Sequence, residues 1–251
     1  MKLPSSYDVI GNIAVLSEKT KNPKKVAQHI LKNFKNIKTV AIKTGIHSGK
    51  FRLQKTKILA GKKTKTALHK ENGCLFKLNI DKTYFSPRLG SERLRISKLV
   101  KKDESILVMF SGVAVYPINI SKHSKAKEIC AVEINPAAHK FAEENLKLNK
   151  IKNIKLFLGD VKKVLPRIKI KFDRIIMPLP RDAESFLYLA IKKLKEKGVI
   201  HFYDFQRKED IPNASIDKIK KHCNPKILKV TKVGQYSPRK YRLCIDFKVK
   251  K

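Results

Sequence analysis

Residues 84 to 96 read YFSPRLGSERLRI and set three arginines, Arg88, Arg93 and Arg95, around one carboxylate, Glu92. Two chemistries are open to such an acid. It neutralises its neighbours in an ordinary salt bridge, or it serves as a base that the arginines hold in place. A second set of residues lies beyond three strand-like runs. Gly112 follows the run SILVMF, Glu133 ends the run EICAVE, and Asp160 follows LFLG. A glycine there lets a ligand approach the backbone. A carboxylate at the next strand end can accept both hydroxyls of a ribose, and a third acid can accept from an exocyclic amine. Each alone is commonly a helix cap, but in this order they favour an adenosine-containing cofactor. Neither GxGxxG nor GxxxxGK(S/T) occurs, so a dinucleotide fingerprint and a nucleoside triphosphate loop are not supported. Cys74, Cys130, Cys223 and Cys244 form no CxxC pair, and the seven histidines form no HExxH. The expectation is reduced, mostly buried thiols in an intracellular protein and no metal site.

The elements that must position these residues fall into two parts. In the first, DVIGNIAVL and TVAIKTG read as strands, and the segment between them has helical spacing at Val26, Ile30, Phe34 and Ile37. Residues 51 to 86 then alternate as strands joined by basic turns, giving a small α+β unit with a lysine-rich face. In the second part SILVMFSGVAV, KEICAVEINP, IKLFLGDV, FDRIIMPLP and KGVIHFYDF read as buried parallel strands. Helices are expected over PAAHKFAEENLKLNK and over DAESFLYLAIKKLKEKG, the latter closed by Gly198. The tail should add two antiparallel edge strands around YSPR. This pattern predicts an α/β fold, with a small α+β domain over residues 1–96 and a mostly parallel sheet over 97–251.

Lysine and arginine number 58 against 21 acids, a formal net charge of +37. Part of that is lysine bias, since 48 of the 58 bases are lysine, yet a polyanion such as nucleic acid is the expected partner. No apolar run approaches the roughly 18 residues of a membrane helix, and the N-terminus does not read as a signal peptide.

The order FSGVAVYP, AVEINPAA, LGDV, DRIIMPLP, VIHFYDF resembles a class I S-adenosylmethionine-dependent methyltransferase with a Rossmann-like fold. Taken with HKENGCLFKLNIDKTYFSPRLGSERLRI and the closing QYSPRKYRL, almost the whole chain is similar to the archaeal and eukaryotic tRNA (guanine-37-N1)-methyltransferases. The resemblance implies a cytoplasmic, monomeric enzyme that uses S-adenosylmethionine on the tRNA anticodon loop. It places Phe110, Gly112, Glu133, Asn135, Asp160, Val161 and Pro180 at the cofactor. Glu92 would be the general base for N1 of guanosine 37, and Arg52 would stabilise charge on O6. Tyr84, Arg88, Arg93 and Pro178 would surround the target base or the RNA. The chain departs from the family at three places. Pro178 stands where the family has an asparagine that contacts guanine, and Val108 and Ala114 replace an acid and a second glycine. Longer members also carry a further N-terminal domain, so a short form is expected. Two other readings follow from the same residues: aminocarboxypropyl transfer in wybutosine formation, or a non-catalytic RNA-binding relative.

Overall fold

The computed structural model describes residues 7–45, 49–179 and 182–250. Strands β1 (Asp8–Ile10) and β2 (Ile13–Leu16) form a hairpin at Gly11, so the run DVIGNIAVL is two strands rather than one. Gly11 has φ 57°, and a Cβ there would lie 2.2 Å from the Leu68 carbonyl oxygen. Helix α1 (Pro23–Asn33) starts on a proline, whose fixed φ suits a first turn. It buries Val26, Ala27 and Ile30 in a small core with Leu16, Ile37 and Val40. Strands β3 (Thr39–Lys43) and β4 (Thr56–Gly61) complete a sheet of order β1-β2-β3-β4. A separate hairpin follows, β5 (Thr66–Glu71) with β6 (Cys74–Asn79), and then helix α2 (Gly90–Leu99).

The remainder alternates. It runs through β7 (Ser105–Met109), α3 (Val115–His123), β8 (Glu128–Glu133), α4 (Pro136–Leu148), β9 (Ile154–Leu158) and α5 (Val161–Val164). It continues with β10 (Phe172–Met177), α6 (Leu187–Lys193), β11 (Leu194–Arg207), α7 (Asn213–Lys220), β12 (Pro225–Ser237) and β13 (Lys240–Val249). The sheet order is β12-β13-β11-β10-β7-β8-β9, parallel from β9 to β11 with an antiparallel edge of β13 and β12. This is the expected α/β architecture. Successive residues of β7 serve opposite faces: Ile106 and Val108 join one core, Leu107 and Met109 the other.

Two expected boundaries move. The apolar run SILVMFSGVAV is strand only to Met109, because the chain turns there and Val115 already opens α3. The helix expected to reach Gly198 stops at Lys193. Leu194 is 7% exposed and pairs with Phe172 in the sheet, so burying it as a strand residue outweighs helix continuation. A Cβ on Gly198 would lie 2.8 Å from the Leu194 side chain and 3.0 Å from the Asp173 carbonyl oxygen.

The expected join at residue 96 falls inside α2. The β5–β6 hairpin packs on the second half: the Leu75 and Lys77 N–H groups donate to the amide oxygens of Asn149 (2.9 Å) and Asn145 (2.7 Å) on and just after α4. The first sheet meets this hairpin through the Gly11 N–H, which donates to His69 Nδ1 at 3.1 Å. Among the described residues no helix is long and apolar enough to cross a membrane.

Candidate active site

Strand order reverses between β7 and β10, and ligands of such sheets bind beyond the carboxyl ends at that point. The turn after β7 is held in an unusual shape, with Phe110, Gly112 and Ala114 at φ 60°, 59° and 64°. For the two non-glycine residues this costs roughly 1–2 kcal/mol each, and such conformations persist where surroundings enforce them. Ala114 stands where the family resemblance has glycine, and its left-handed backbone explains why glycine suits that position. Val108 points into the core between β10 and β8.

Glu133, at the end of β8, ties the turn to the next element. Its Oε2 accepts from the Gly112 N–H at 2.6 Å and its Oε1 from the Asn135 N–H at 2.7 Å. Burial pushes the Glu133 carboxyl up, and the N–H groups of Asn135, Gly112 and Ile134 oppose that rise. Asn135 caps α4, accepting from the Ala137 N–H at 3.0 Å, while its amide donates to the Lys82 carbonyl at 2.8 Å. Asp160 caps α5 through the Lys162 N–H at 2.9 Å, and its other oxygen lies 4.0 Å from Lys50 Nζ. Val161 is buried at the start of that helix. Phe110 packs edge-on to Phe186 at 5.0 Å. Pro180 lies outside the described residues.

These groups fit a nucleoside. A Cβ added at Gly112 would meet only the Tyr84 carbonyl oxygen, at 3.8 Å, so the space over this backbone is open. The Ser111 hydroxyl beside it is buried with no hydrogen-bond partner among the described residues. A carboxylate has about four lone-pair sites, so Glu133 retains acceptor capacity for a ribose hydroxyl.

A cleft of about 920 Å³ adjoins this turn. Its described lining includes five cations, Lys43, Lys50, Arg52, Arg88 and Arg242, and one acid, Asp182. Arg52 sits in a tight turn at φ 52°, its N–H donating to the Gly49 carbonyl at 3.0 Å. Its guanidinium lies 3.7 Å from Asp182. The Tyr84 hydroxyl accepts from Arg242 Nη2 at 3.1 Å. Arg88 pairs with Asp8 of β1 at 2.9 Å, so the first sheet forms part of the wall. Leu179 reaches the cleft, whereas its neighbour Pro178 is half-buried and not part of the lining.

Glu92 is placed differently from Arg52 and Tyr84. It is 7% exposed, faces the interior from the first turn of α2 and does not line the cleft. Of the three arginines only Arg95 reaches it, with Nε to Oε2 at 2.7 Å and Nη2 to Oε1 at 2.8 Å. The Tyr203 hydroxyl also donates to Oε1, at 2.5 Å. Arg93 is buried: it pairs with Glu71, donates to the Ser86 carbonyl at 2.7 Å and lies over Phe85. It therefore holds the loop that carries Tyr84. A chain of contacts runs on from there: Arg95 pairs with Asp246 (2.8 Å), Asp246 accepts from His201 Nδ1 (2.7 Å), His201 Nε2 accepts from Arg174 (2.7 Å), and Arg174 pairs with Glu104 (2.7 Å). Burial holds His201 below the usual histidine range, with Asp246 opposing that shift. The ligand atoms of His201, Cys244 and Asp246 lie within 4.8 Å of one another. Arg95 and Arg174 already engage this group, and their charges disfavour a cation there.

Sequence reasoning missed Tyr203, Asp246, Phe205, Tyr236 and Arg242. A signal was present: HFYDF carries His201, Tyr203 and Asp204 inside what reads as a buried strand, where unbroken aliphatic residues are usual.

Comparison with known proteins gives the following. Residues 67–231 match the TRM5/TYW2 methyltransferase domain and residues 1–64 match the TYW2 N-terminal domain. The chain is 39% identical to the tRNA (guanine(37)-N(1))-methyltransferase Trm5b of Pyrococcus abyssi, over 98% of this chain and 76% of that protein. It is 32% identical to the tRNA(Phe) (4-demethylwyosine(37)-C(7)) aminocarboxypropyltransferase of Methanocaldococcus jannaschii, over 96% of this chain and 97% of that one. A solved complex of aTrm5 and tRNALeu superposes with a TM-score of 0.89 at 34% identity, covering 99% of this chain and 73% of that one.

Proposed function

The chain belongs to the TRM5/TYW2 methyltransferase family, and on that premise we propose that it methylates N1 of guanosine 37 in the anticodon loop of tRNA. The methyl donor is S-adenosylmethionine, which when bound supplies an electrophilic methyl group. One observation carries the reading: Tyr84 joins the two halves of the site. Its backbone carbonyl faces the open space over Gly112, and its ring lines the cationic cleft.

In this reading Glu133 accepts the ribose hydroxyls, Asp160 faces the adenine, and Phe110, Asn135 and Val161 complete the cofactor wall. Arg52 takes the charge that develops on guanine O6 as N1 loses its proton. Glu92 accepts that proton. Its Oε1 accepts two hydrogen bonds and its Oε2 only one, so Oε2 retains a lone pair for an incoming N1–H. In free enzymes catalytic hydrogen bonds are often unformed and tighten with substrate. Tyr84 flanks the base, Arg93 fixes the Tyr84 loop and Arg88 holds RNA phosphate. Pro178, lacking an amide side chain, leaves the guanine edge to other donors. A monomeric, cytoplasmic protein completes this reading, the location following from its tRNA substrate.

Glu133→Ala should weaken S-adenosylmethionine binding by about 1–3 kcal/mol, the loss expected for charge-assisted hydrogen bonds. Titration calorimetry checks this, and unchanged affinity would remove Glu133 from the cofactor site. Binding of tRNA should fall linearly in a log–log plot against salt. A flat response between about 50 and 200 mM salt would mean that the lysines are compositional bias rather than an RNA footprint.

A second reading, aminocarboxypropyl transfer from the same cofactor, draws on the match of residues 1–64 to the TYW2 N-terminal domain. The mass and position of the modification on tRNA separate the two.

A further inference from the structure

We propose that Phe205, Tyr236 and Arg242 form a stacking platform for the unpaired tRNA base next to the target guanosine. The proposal rests on the reading of the cleft as the tRNA site. The three side chains come from neighbouring strands β11, β12 and β13, and all three line the cleft. The Phe205 and Tyr236 rings lie with centroids 4.3 Å apart and planes tilted by 40°. The Arg242 guanidinium lies over Phe205, 5.2 Å from its centroid.

Three features mark this cluster as a surface that expects a partner. Tyr236 is 52% exposed, so a large aromatic face is left open at the cleft. Arg242 Nε is buried with no hydrogen-bond partner among the described residues, although its Nη2 is engaged by the Tyr84 hydroxyl. The surrounding charge is positive, with Lys43, Lys50 and Arg52 lining the same cleft.

The partner chemistry follows from the reaction. Seating N1 of a guanine in a pocket beside the cofactor draws the base out of its stack, and its neighbours then lose a stacking surface. Single-stranded RNA is commonly held by stacking its bases on aromatic rings and on arginine planes. Arg242 links the platform to Tyr84, which borders the target pocket, so the platform sits one step from the reacting base.

The test uses the full chain and an anticodon stem-loop RNA carrying the fluorescent base 2-aminopurine at either nucleotide flanking the target. Binding to the wild type and to Tyr236→Phe should quench the probe at one of these positions, and Tyr236→Ala should abolish that quenching. In steady-state assays Tyr236→Ala should raise KM for tRNA roughly 5- to 150-fold, the range for losing one base–aromatic stack, with the smaller effect in kcat. Tyr236→Phe should restore both readouts. Quenching and KM that survive in Tyr236→Ala would overturn the platform. If the wild type quenched the probe but transferred no methyl group, the platform would stand and the methylation reading would fall.

Discussion

Exchanging Glu92 for glutamine is expected to slow methyl transfer in single turnover by roughly 10²–10⁴-fold, the usual worth of a general base. The amide keeps the shape of the side chain and can still accept from Arg95 or Tyr203, but it cannot take a proton. Saturating tRNA and cofactor remove binding from the measurement, so the rate reports the chemical step. The burial of Glu92 also sets a competing outcome. If its work is only to neutralise Arg95, the substitution lowers thermal stability and leaves the rate near normal. The stability cost should then be modest, because Arg95 keeps Asp246 as an ionic partner. A near-normal rate with intact binding would end the case for Glu92.

Arg52→Ala should slow the same step by roughly 10²–10³-fold, the effect of removing one donor from a preorganised charge-stabilising site. Cofactor affinity should hold, since Arg52 lines the cleft while Glu133 is held by the Gly112 and Asn135 N–H groups. Loss of the ion pair to Asp182 should cost little folding stability, because that carboxylate is 76% exposed in its side chain and such pairs contribute little. Arg52→Lys should recover only part of the rate, as an ammonium is a point charge without the guanidinium's planar fork. A normal rate in Arg52→Ala would move the stabilisation of O6 to another cleft cation, Arg242 first.

The centre of the sheet was readable because β7 and β8 are short apolar runs, SILVM and EICAVE, that no helical period explains. The cofactor turn was readable because a strand end followed by Gly112, then Glu133, is a local pattern. Helix α2 was not. Its buried residues are Glu92, Arg93, Ile96 and Ser97, so a mostly polar set faces the interior and hydrophobic periodicity has little to detect. The fate of the three arginines was equally hidden. Their partners Asp8, Glu71 and Asp246 are far away in sequence, and only the fold decides that Arg95 alone meets Glu92. The same holds for Phe205, Tyr236 and Arg242, which meet because β13 lies between β11 and β12.

The central claim is the identity of the product. Incubation of the full chain with unmodified tRNA and S-adenosylmethionine, followed by nuclease digestion and mass mapping, reads it directly. The expected product carries one added methyl group on the nucleotide at position 37, located on N1 by fragmentation. A gain of an aminocarboxypropyl group, a methyl group elsewhere, or unmodified tRNA with bound cofactor would contradict it.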